Sequence, residues 1–298
     1  MARVSIAIPT CNRPQALSVF LELLQPQLTT DCEVIVCDDS GNTETREMIT
    51  ARFPQVVYRQ GPRNGPGPNR NACAAAATGE WLVFADDDCL PRATFLPAYL
   101  KAIAGKGNAG PVLEGTTYRQ DDGRTSLLWE SPHYTGGSLP PSCNFAIPRE
   151  LFLKAGGFDA RYVVSFEDME FFARLKAMGV SIEYVPDAIL DHPVRMLPSP
   201  SRLARRWEAR VVSSLDFGAP TLEILVRLPK HVLMVILSRF RGRKLEGENL
   251  RAALKFCGEF FLMLWYLPGW ARKHHHDARS AFWTKEVSAG KAPPRYGL

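Results

Sequence analysis

Short apolar, β-branched runs alternate with longer amphipathic segments over the first two thirds of the chain. The runs at residues 4–8, 33–37, 56–58, 81–85, 111–113 and 180–185 are typical of buried strands. The segments at 14–24, 43–53, 69–78, 92–104 and 169–178 have helical spacing, several with proline or glycine at an end. This alternation predicts an α/β fold with a mostly parallel sheet flanked by helices.

Polar segments lie where these strands end, and open parallel sheets bind ligands beyond the carboxyl ends of their strands. Asp38 and Asp39 follow the second strand, and three aspartates at 86–88 follow the fourth. A glycine- and proline-rich loop at 63–71 leads into the third helix. We expect these three segments to meet at one edge of the sheet.

The loop at 63–71 matches neither common phosphate-binding pattern. Arg70 stands where the dinucleotide fingerprint needs its third glycine, and no G-K-[ST] follows for a P-loop, so hydride transfer and ATP hydrolysis lose support. Arg70 at a helix start can still add its guanidinium to backbone N–H groups that attract phosphate. A plain connecting loop is the alternative.

Three consecutive aspartates, Asp86, Asp87 and Asp88, repel one another unless a cation or a basic partner compensates. A divalent metal is the economical explanation, and carboxylate oxygens suit Mg²⁺ or Mn²⁺, ions that bridge to substrate phosphates. Asp86 and Asp88 are expected on one side, with Asp87 opposed. The alternative is a solvated acidic turn.

Asp38 and Asp39 precede Ser40-Gly41, so turn formation alone can account for them. The functional alternative is that a carboxylate here accepts hydrogen bonds from a nucleotide base or ribose.

Glu167 and Asp168 lie just before a predicted helix, and His192 lies shortly after the sixth predicted strand. Acidic residues near a helix start, with Ser165 in a variant capping box, have a purely structural explanation. The alternative makes Asp168 or Glu167 a general base. His192 is either structural or a further metal ligand beside the aspartates.

Composition narrows the class of protein. The 298 residues are 46% hydrophobic and 22% charged, which excludes a disordered chain and gives one large α/β domain with an appendage, or two domains. The seven cysteines include no C-x-x-C pair, so neither a disulfide framework nor a structural zinc site is expected, and a reducing cytosol fits best. No export signal is expected.

Taken in order, these features resemble the family 2 glycosyltransferases, which are inverting nucleotide-sugar enzymes with the Rossmann-like GT-A fold. The resemblance covers about residues 3–195. Two departures are the order Ser40-Gly41 after the aspartate pair and the proline-rich loop around Gly65. The markers are Ile8-Pro9-Thr10-Cys11-Asn12-Arg13, Val36-Cys37-Asp38-Asp39-Ser40, Asn69-Arg70-Asn71, Phe84-Ala85-Asp86-Asp87-Asp88, Gly156-Gly157-Phe158-Asp159, Glu167-Asp168 and His192.

The resemblance implies that Asp168, beside Glu167, is the base that deprotonates an acceptor hydroxyl. The nucleotide-binding residues it implies are Pro9, Asp38, Asp39, Arg70, Asp86 and Asp87. The implied ligands of a Mn²⁺ or Mg²⁺ ion, which stabilises the leaving diphosphate, are Asp86, Asp88 and His192. The implied donor is a nucleoside diphosphate sugar, with UDP or dTDP favoured, and the acceptor is a hydroxyl of a glycan or lipid-linked molecule, as in polysaccharide biosynthesis.

Residues 196–298 lie outside the resemblance and form a second expected domain after a catalytic domain at 1–195. From residue 195 onwards 19 Lys/Arg meet 8 Asp/Glu, against 17 and 23 in residues 1–194. Arginines at 202, 205, 206 and 210 surround Trp207, and two apolar helical segments follow at 221–240 and 250–270. No uncharged run reaches the roughly 18 residues that span a bilayer.

We therefore expect this basic region to attach peripherally to an anionic membrane surface on the cytosolic face. A helical cap or homo-oligomer interface is the alternative, and no nucleic acid is expected because no binding module accompanies the charge. Two other functions are open for the whole chain. A sugar-phosphate nucleotidyltransferase would release pyrophosphate instead of a nucleoside diphosphate, and a noncatalytic nucleotide-sugar-binding protein would bind without turnover.

Overall fold

The computed structural model describes residues 4–107, 110–120, 122–275 and 280–288. The chain divides into two compact units. The first comprises Met1–Asp121, Ser131–Val163 and Glu167–Val194, and the second comprises Asp122–Glu130, Val164–Phe166 and Arg195–Leu298. The second unit thus includes two short segments that precede residue 195.

The helices and strands follow one another as the alternating pattern predicts. The strands are β1 (Val4–Thr10), β2 (Cys32–Asp38), β3 (Val57–Gln60), β4 (Trp81–Ala85), β5 (Leu90–Pro91), β6 (Val112–Arg119), β7 (Trp129–Glu130), β8 (Asn144–Pro148), β9 (Ile182–His192) and β10 (Arg195–Met196). The helices are α1 (Pro14–Leu24), α2 (Glu44–Arg52), α3 (Pro66–Ala76), α4 (Phe95–Ile103), α5 (Arg149–Lys154), α6 (Glu167–Ala177), α7 (Pro200–Arg205), α8 (Glu208–Asp216), α9 (Thr221–Arg239), α10 (Gly247–His275) and α11 (Ala281–Ser288).

The first unit is built on one sheet with the strand order β3-β2-β1-β4-β8-β6-β9-β5. The pairs β3-β2, β2-β1, β1-β4 and β6-β9 are parallel, whereas β4-β8, β8-β6 and β9-β5 are antiparallel. Six of the eight strands therefore run in one direction, which confirms the mostly parallel sheet.

Strand β8 is absent from the sequence prediction. Its residues Asn144–Pro148 are a short apolar run with Pro140 and Pro141 close before it, a composition typical of loops. Its pairing with β4 is set by contacts 59 to 67 positions away in the chain, for example Leu82 with Ile147. A local pattern carries no signal of that kind.

Both faces of the sheet are buried, because strand side chains alternate between two cores. In β1, Ile6 and Ile8 pack in one core with Leu17 and Phe20 of α1. Ala7 between them packs in the other core, with residues of α3, α5 and α6. Successive residues of these strands are therefore mostly apolar, because each side chain enters one core or the other, and helices cover both faces.

The expected meeting of loops at one sheet edge is confirmed by the side chain of Asn69, in the first turns of α3. Its amide Nδ2 donates to the carbonyl oxygens of Thr10 (3.2 Å) and Cys37 (2.9 Å), at the ends of β1 and β2. The backbone N–H of Asp39 also donates to the Thr10 carbonyl (2.9 Å). These bonds fix the loops after β1 and β2 beside α3.

The glycines at 156 and 157 allow the next segment to dock on α3. Asn71 accepts a hydrogen bond from the N–H of Phe158 and donates to its carbonyl, both at 2.8 Å. Gly157 has φ +64, and a Cβ there would lie 2.5 Å from Asn71 Oδ1. Only glycine fits this position without strain.

The second unit is helical, with α7 to α11 and the short pair β7-β10. Its core contains Trp207, Leu228, Phe256 and Met263, and the indole of Trp207 donates to Glu259 (2.6 Å). No helix in the described parts of the chain combines the length and apolarity that crossing a bilayer requires.

Two of the arginines near Trp207 serve this unit internally instead of forming a solvated basic face. The guanidinium of Arg206 forms two hydrogen bonds with the carboxylate of Glu130. That of Arg210 lies 4.6 Å from the ring centroid of Phe166. These two residues therefore have partners within the second unit that only folding brings close.

Candidate functional site

The three aspartates after β4 lie in a turn, where the N–H of Cys89 donates to the carbonyl of Asp86 (3.2 Å). Asp86 forms an ion pair with Arg70 (2.5 Å), whereas Asp87 and Asp88 share the guanidinium of Arg13, each at 2.8 Å. Asp87 also accepts from the Thr10 hydroxyl (2.6 Å). The expectation that Asp87 points away from Asp88 is wrong, because the segment turns instead of extending.

Arg13 and Arg70 together compensate the charge of this turn. Repulsion among the three aspartates favours a metal in the sequence, but in the structure the two arginines already supply the compensating charge. Charge repulsion alone therefore does not require a metal. Arg13 is 39% exposed, so its guanidinium can leave the carboxylates at modest cost when another cation arrives. The case for a metal rests on the geometry around Asp88.

Asp88 and His192 fit a divalent ion. His192 ends β9, and its Nε2 lies 4.0 Å from Asp88 Oδ1. Its Nδ1 lies 2.9 Å from the carbonyl oxygen of Pro193. A carbonyl only accepts, so Nδ1 carries the proton and Nε2 presents its lone pair on the side of Asp88. Two ligand atoms about 2.1 Å from one ion can be about 4 Å apart.

The third residue close to Asp88 and His192 is Cys89, and not Asp86 as the sequence predicts. Within the described residues, the ligand atoms of Asp88, Cys89 and His192 lie within 4.8 Å of one another. Hydrogen bonding to the Cys143 thiol, together with burial, raises the pKa of Cys89 well above its ordinary value, so it stays a neutral thiol. Asp88 and His192 remain the fitting pair, and Asp86 is held by Arg70.

Asp38 and Asp39 have different surroundings. The carboxylate of Asp38 is fully buried, and it accepts hydrogen bonds from the N–H and hydroxyl of Ser40 and from the hydroxyl of Tyr58 (3.1 Å). The structure therefore contains the local turn at Asp38 that the alternative explanation predicts. Asp39 is partly exposed and accepts from the N–H of Arg63 (2.9 Å), and burial raises its pKa. Pro9 is buried in β1, paired with Cys37.

Arg70 connects the aspartate turn to the start of α6. It lies in the second turn of α3, because that helix begins at Pro66, so the expectation of a helix-start position is wrong. Its side chain is 3% exposed and pairs with Asp86 (2.5 Å) and Glu167 (3.1 Å). A guanidinium held by two carboxylates positions them, and the structure assigns it no free face for phosphate.

Glu167 and Asp168 occupy the first turn of α6 in different ways. Glu167 is buried, and burial raises its pKa to about 7, helped by the charge of Asp168 and opposed by Arg70. Asp168 is partly exposed and accepts from the N–H groups of Met169 (2.8 Å) and Ser142 (3.3 Å). Burial raises the pKa of Asp168 above its ordinary value, although these N–H groups oppose the shift. Asp168 is the carboxylate of the two that a substrate can reach.

A buried carboxylate that the sequence analysis misses holds the loop leading to Ser142. Glu114 in β6 is 3% exposed and accepts from the hydroxyl of Tyr134 (2.6 Å) and from the N–H groups of Gly137 and Ser138, each at 3.0 Å. The sequence signal that could have identified Glu114 is a single acidic residue directly after a predicted buried strand. The pairing of Arg13 with Asp87 and Asp88 is likewise not predicted from the sequence.

Known proteins share this architecture. A family model described as glycosyl transferase family 2 matches residues 5–166. An uncharacterized glycosyltransferase of Haemophilus influenzae is 28% identical over 181 residues, which are 58% of this chain and 61% of that protein. A GalNAc(5)-diNAcBac-PP-undecaprenol beta-1,3-glucosyltransferase of Campylobacter jejuni is 30% identical over 115 residues, 37% of this chain and 36% of that protein. The chain thus spans less than two thirds of either relative.

Two solved structures share the GT-A fold with this chain. A mannosyltransferase of Pyrobaculum calidifontis, in complex with GDP-Man and Mn²⁺, has a TM-score of 0.51 at 20% identity and covers 97% of this chain and 79% of its own. GalNAc-T7 with UDP, GalNAc and Mn²⁺ has a TM-score of 0.55 at 16% identity, over 70% of this chain and 48% of its own. At these identities the likeness supports the fold alone.

Proposed function

The chain belongs to glycosyl transferase family 2, and we propose that it moves a sugar from a nucleoside diphosphate to a hydroxyl with inversion at the anomeric carbon. The observation that carries this proposal is the Asp86–Arg70–Glu167 connection, which fixes the first turn of α6 beside the aspartate turn. A leaving diphosphate at the aspartates and a base at Asp168 then lie on either side of the reacting carbon, as in-line displacement requires.

Asp168 is the proposed general base. It is reachable, its two N–H donors fix the carboxylate, and its raised pKa makes it a stronger base than an ordinary aspartate. Glu167 supports it through Arg70 without contacting substrate. Because the pKa of Glu167 is about 7, this residue is partly protonated near neutrality, which reduces the negative charge beside Asp168.

Asp88 and His192 are the proposed metal ligands, and bound Mn²⁺ or Mg²⁺ would supply positive charge to the leaving diphosphate. Asp86 is held by Arg70, and Asp87 is held by Arg13 and Thr10, in the turn that carries Asp88. We propose that this turn binds the ribose and diphosphate of the donor. Arg13 is the chain's own cation at this position, and we propose that it moves to the phosphates when the ion binds.

Asp39 is the proposed contact to the nucleotide base, because the carboxylate of Asp38 already accepts hydrogen bonds from Ser40 and Tyr58. Asp38 then acts by shaping the turn, and Pro9 by forming the floor of the site. We propose UDP or dTDP as the nucleotide, with GDP as the comparison that the mannosyltransferase structure suggests.

The proposed acceptor is a hydroxyl of a glycan or lipid-linked molecule, used in polysaccharide assembly at the cytosolic face of a membrane. Support comes from the Campylobacter relative, whose name includes an undecaprenol-linked acceptor, and from the basic residues after 195.

The test is Asp168→Asn, compared with Asp187→Asn, which changes an exposed carboxylate in β9. Loss of a general base should lower kcat about 10²- to 10⁴-fold and leave the Kd for nucleotide unchanged. For the unaltered enzyme, kcat/KM should fall as the pH drops through the raised pKa of Asp168 and the base gains a proton. Asp187→Asn should keep full activity.

Product analysis tests the reaction class. A glycosyltransferase releases a nucleoside diphosphate, and proton NMR of the first product should show the inverted anomer. Release of pyrophosphate would identify a nucleotidyltransferase instead. Retained transfer by Asp168→Asn would remove this residue from the base role.

A further inference from the structure

Helix α9 carries an apolar stripe on its outer side. Leu222, Val226, Leu233 and Leu237 recur at spacings of four or seven residues, so they share one face of the helix. All four are exposed, with Leu222 at 73% and Val226 at 65%. The opposite face of α9 packs Leu228 and Val232 into the core of the second unit, so core packing does not explain the outer stripe.

Helix α10 repeats the arrangement over a greater length. Leu250, Leu254, Phe261, Leu264 and Trp265 are exposed, with Phe261 at 68% and Trp265 at 80%. Their spacing puts them on one face about 22 Å long, at 1.5 Å per residue. The other face of α10 contributes separate residues to the core. Exposed contiguous apolar area of this kind marks a binding surface.

Basic residues flank these two stripes. Arg241, Arg243 and Lys244 are exposed between α9 and α10, and Arg272 and Lys273 are exposed in the last turn of α10. From 221 to 275 there are 10 Lys/Arg against 4 Asp/Glu. An anionic partner is therefore favoured, whereas a second copy of the chain would bring two net positive surfaces together.

A cleft of about 410 Å³ lies beside Trp265. Arg205, Lys273, Tyr266 and Trp270 contribute to its lining together with Glu208. Glu208 is already paired with Lys273 (3.0 Å) and with His274 (2.8 Å), so its charge is compensated. Cations beside indole and phenol rings suit the headgroup region of a bilayer, where apolar and charged groups meet.

We propose that the outer stripes of α9 and α10 dock on a bilayer containing anionic phospholipid. Phe261 and Trp265 enter the boundary between headgroups and acyl chains, and the flanking arginines and lysines meet lipid phosphates. The helices lie on the bilayer. The inference names the surface through which the chain reaches the membrane given under the proposed function. It does not rest on the transfer reaction, because lipid binding is measured without sugar transfer.

The experiment is co-sedimentation of the full chain with vesicles of phosphatidylcholine alone or mixed with phosphatidylglycerol. Phe261→Ser combined with Trp265→Ser should weaken binding to the mixed vesicles about tenfold or more, since two rings no longer leave water. The control Leu153→Ser removes an equally apolar exposed side chain from α5 in the first unit and should bind like the unaltered chain. Circular dichroism confirms that each variant is folded.

A second variant separates charge from apolar insertion. Arg241→Gln, Arg243→Gln and Lys244→Gln together leave both stripes intact and should reduce binding to phosphatidylglycerol vesicles, as should raised salt. Equal binding to both vesicle types, or unchanged binding by the Phe261 and Trp265 variant, would overturn the proposal. So would a stable dimer in analytical ultracentrifugation that this variant dissociates, because the stripes would then cover each other.

Discussion

Replacing Glu167 with Gln tests the electrostatic account of the first turn of α6. Burial raises the pKa of Glu167 from its ordinary 4.5 to about 7, so the unfolded chain releases this proton at lower pH than the folded chain. Between those two values each rise in pH favours the unfolded chain, because ionising the buried Glu167 lowers the stability of the folded chain. Above a pH of about 7 this loss of stability has reached its full size. At 1.36 kcal/mol per pH unit, that cost is at most about 3 kcal/mol.

Glu167→Gln cannot ionise and keeps a carbonyl oxygen for Arg70. The free energy of unfolding of Glu167→Gln, minus that of the unaltered chain, should therefore increase by about 1–3 kcal/mol as the pH rises from 5 to 8. Urea unfolding followed by circular dichroism measures this difference, with Glu150→Gln, an exposed position on α5, as the control. A difference that stays constant with pH, or that favours the unaltered chain as pH rises, would show that Arg70 keeps Glu167 ionised and would refute the reasoning.

Three further substitutions probe the site and its support. Arg13→Ala removes the chain's own cation from the aspartate turn, so calorimetry should show Mn²⁺ binding about fivefold more tightly; weaker binding would mean that Arg13 helps to retain the ion. His192→Ala should weaken Mn²⁺ binding about tenfold and Mg²⁺ binding less, because imidazole nitrogen suits Mn²⁺ better, and equal losses would argue against ligation. Gly157→Ala should lower the free energy of unfolding by about 2–4 kcal/mol, through backbone strain and through contact of the new Cβ with Asn71. The control Gly179→Ala, where a Cβ meets open space, should lower it by about 1 kcal/mol. Equal losses would contradict the contact with Asn71.

Much of the sheet is predictable from local pattern. The strand at 81–85 and the helix at 14–24 agree with the structure at both ends, because each is an apolar run or periodic segment with clear end signals. The segment at 180–185 shows the limit. Strand β9 continues to His192, since its later residues are held by pairing with β6, and that pairing depends on residues some 70 positions earlier.

The candidate site divides in the same way. Residue types identify the aspartate turn, Glu167, Asp168 and His192, because charged residues after buried strands are informative on their own. Which carboxylate meets which cation is not readable, because the partners of Arg70 lie 16 and 97 positions away. The local turn bond from Ser40 to Asp38, by contrast, follows from the Asp-x-Ser order.

The most direct test of the central claim is calorimetric titration of UDP, dTDP, GDP and CDP into the unaltered chain and into Asp88→Ala, with Mn²⁺ or with EDTA. The account predicts that one nucleoside diphosphate binds in Mn²⁺, and that EDTA and Asp88→Ala each abolish binding. Binding that is indifferent to both the metal and Asp88, or no binding of any of the four by folded protein, would contradict it.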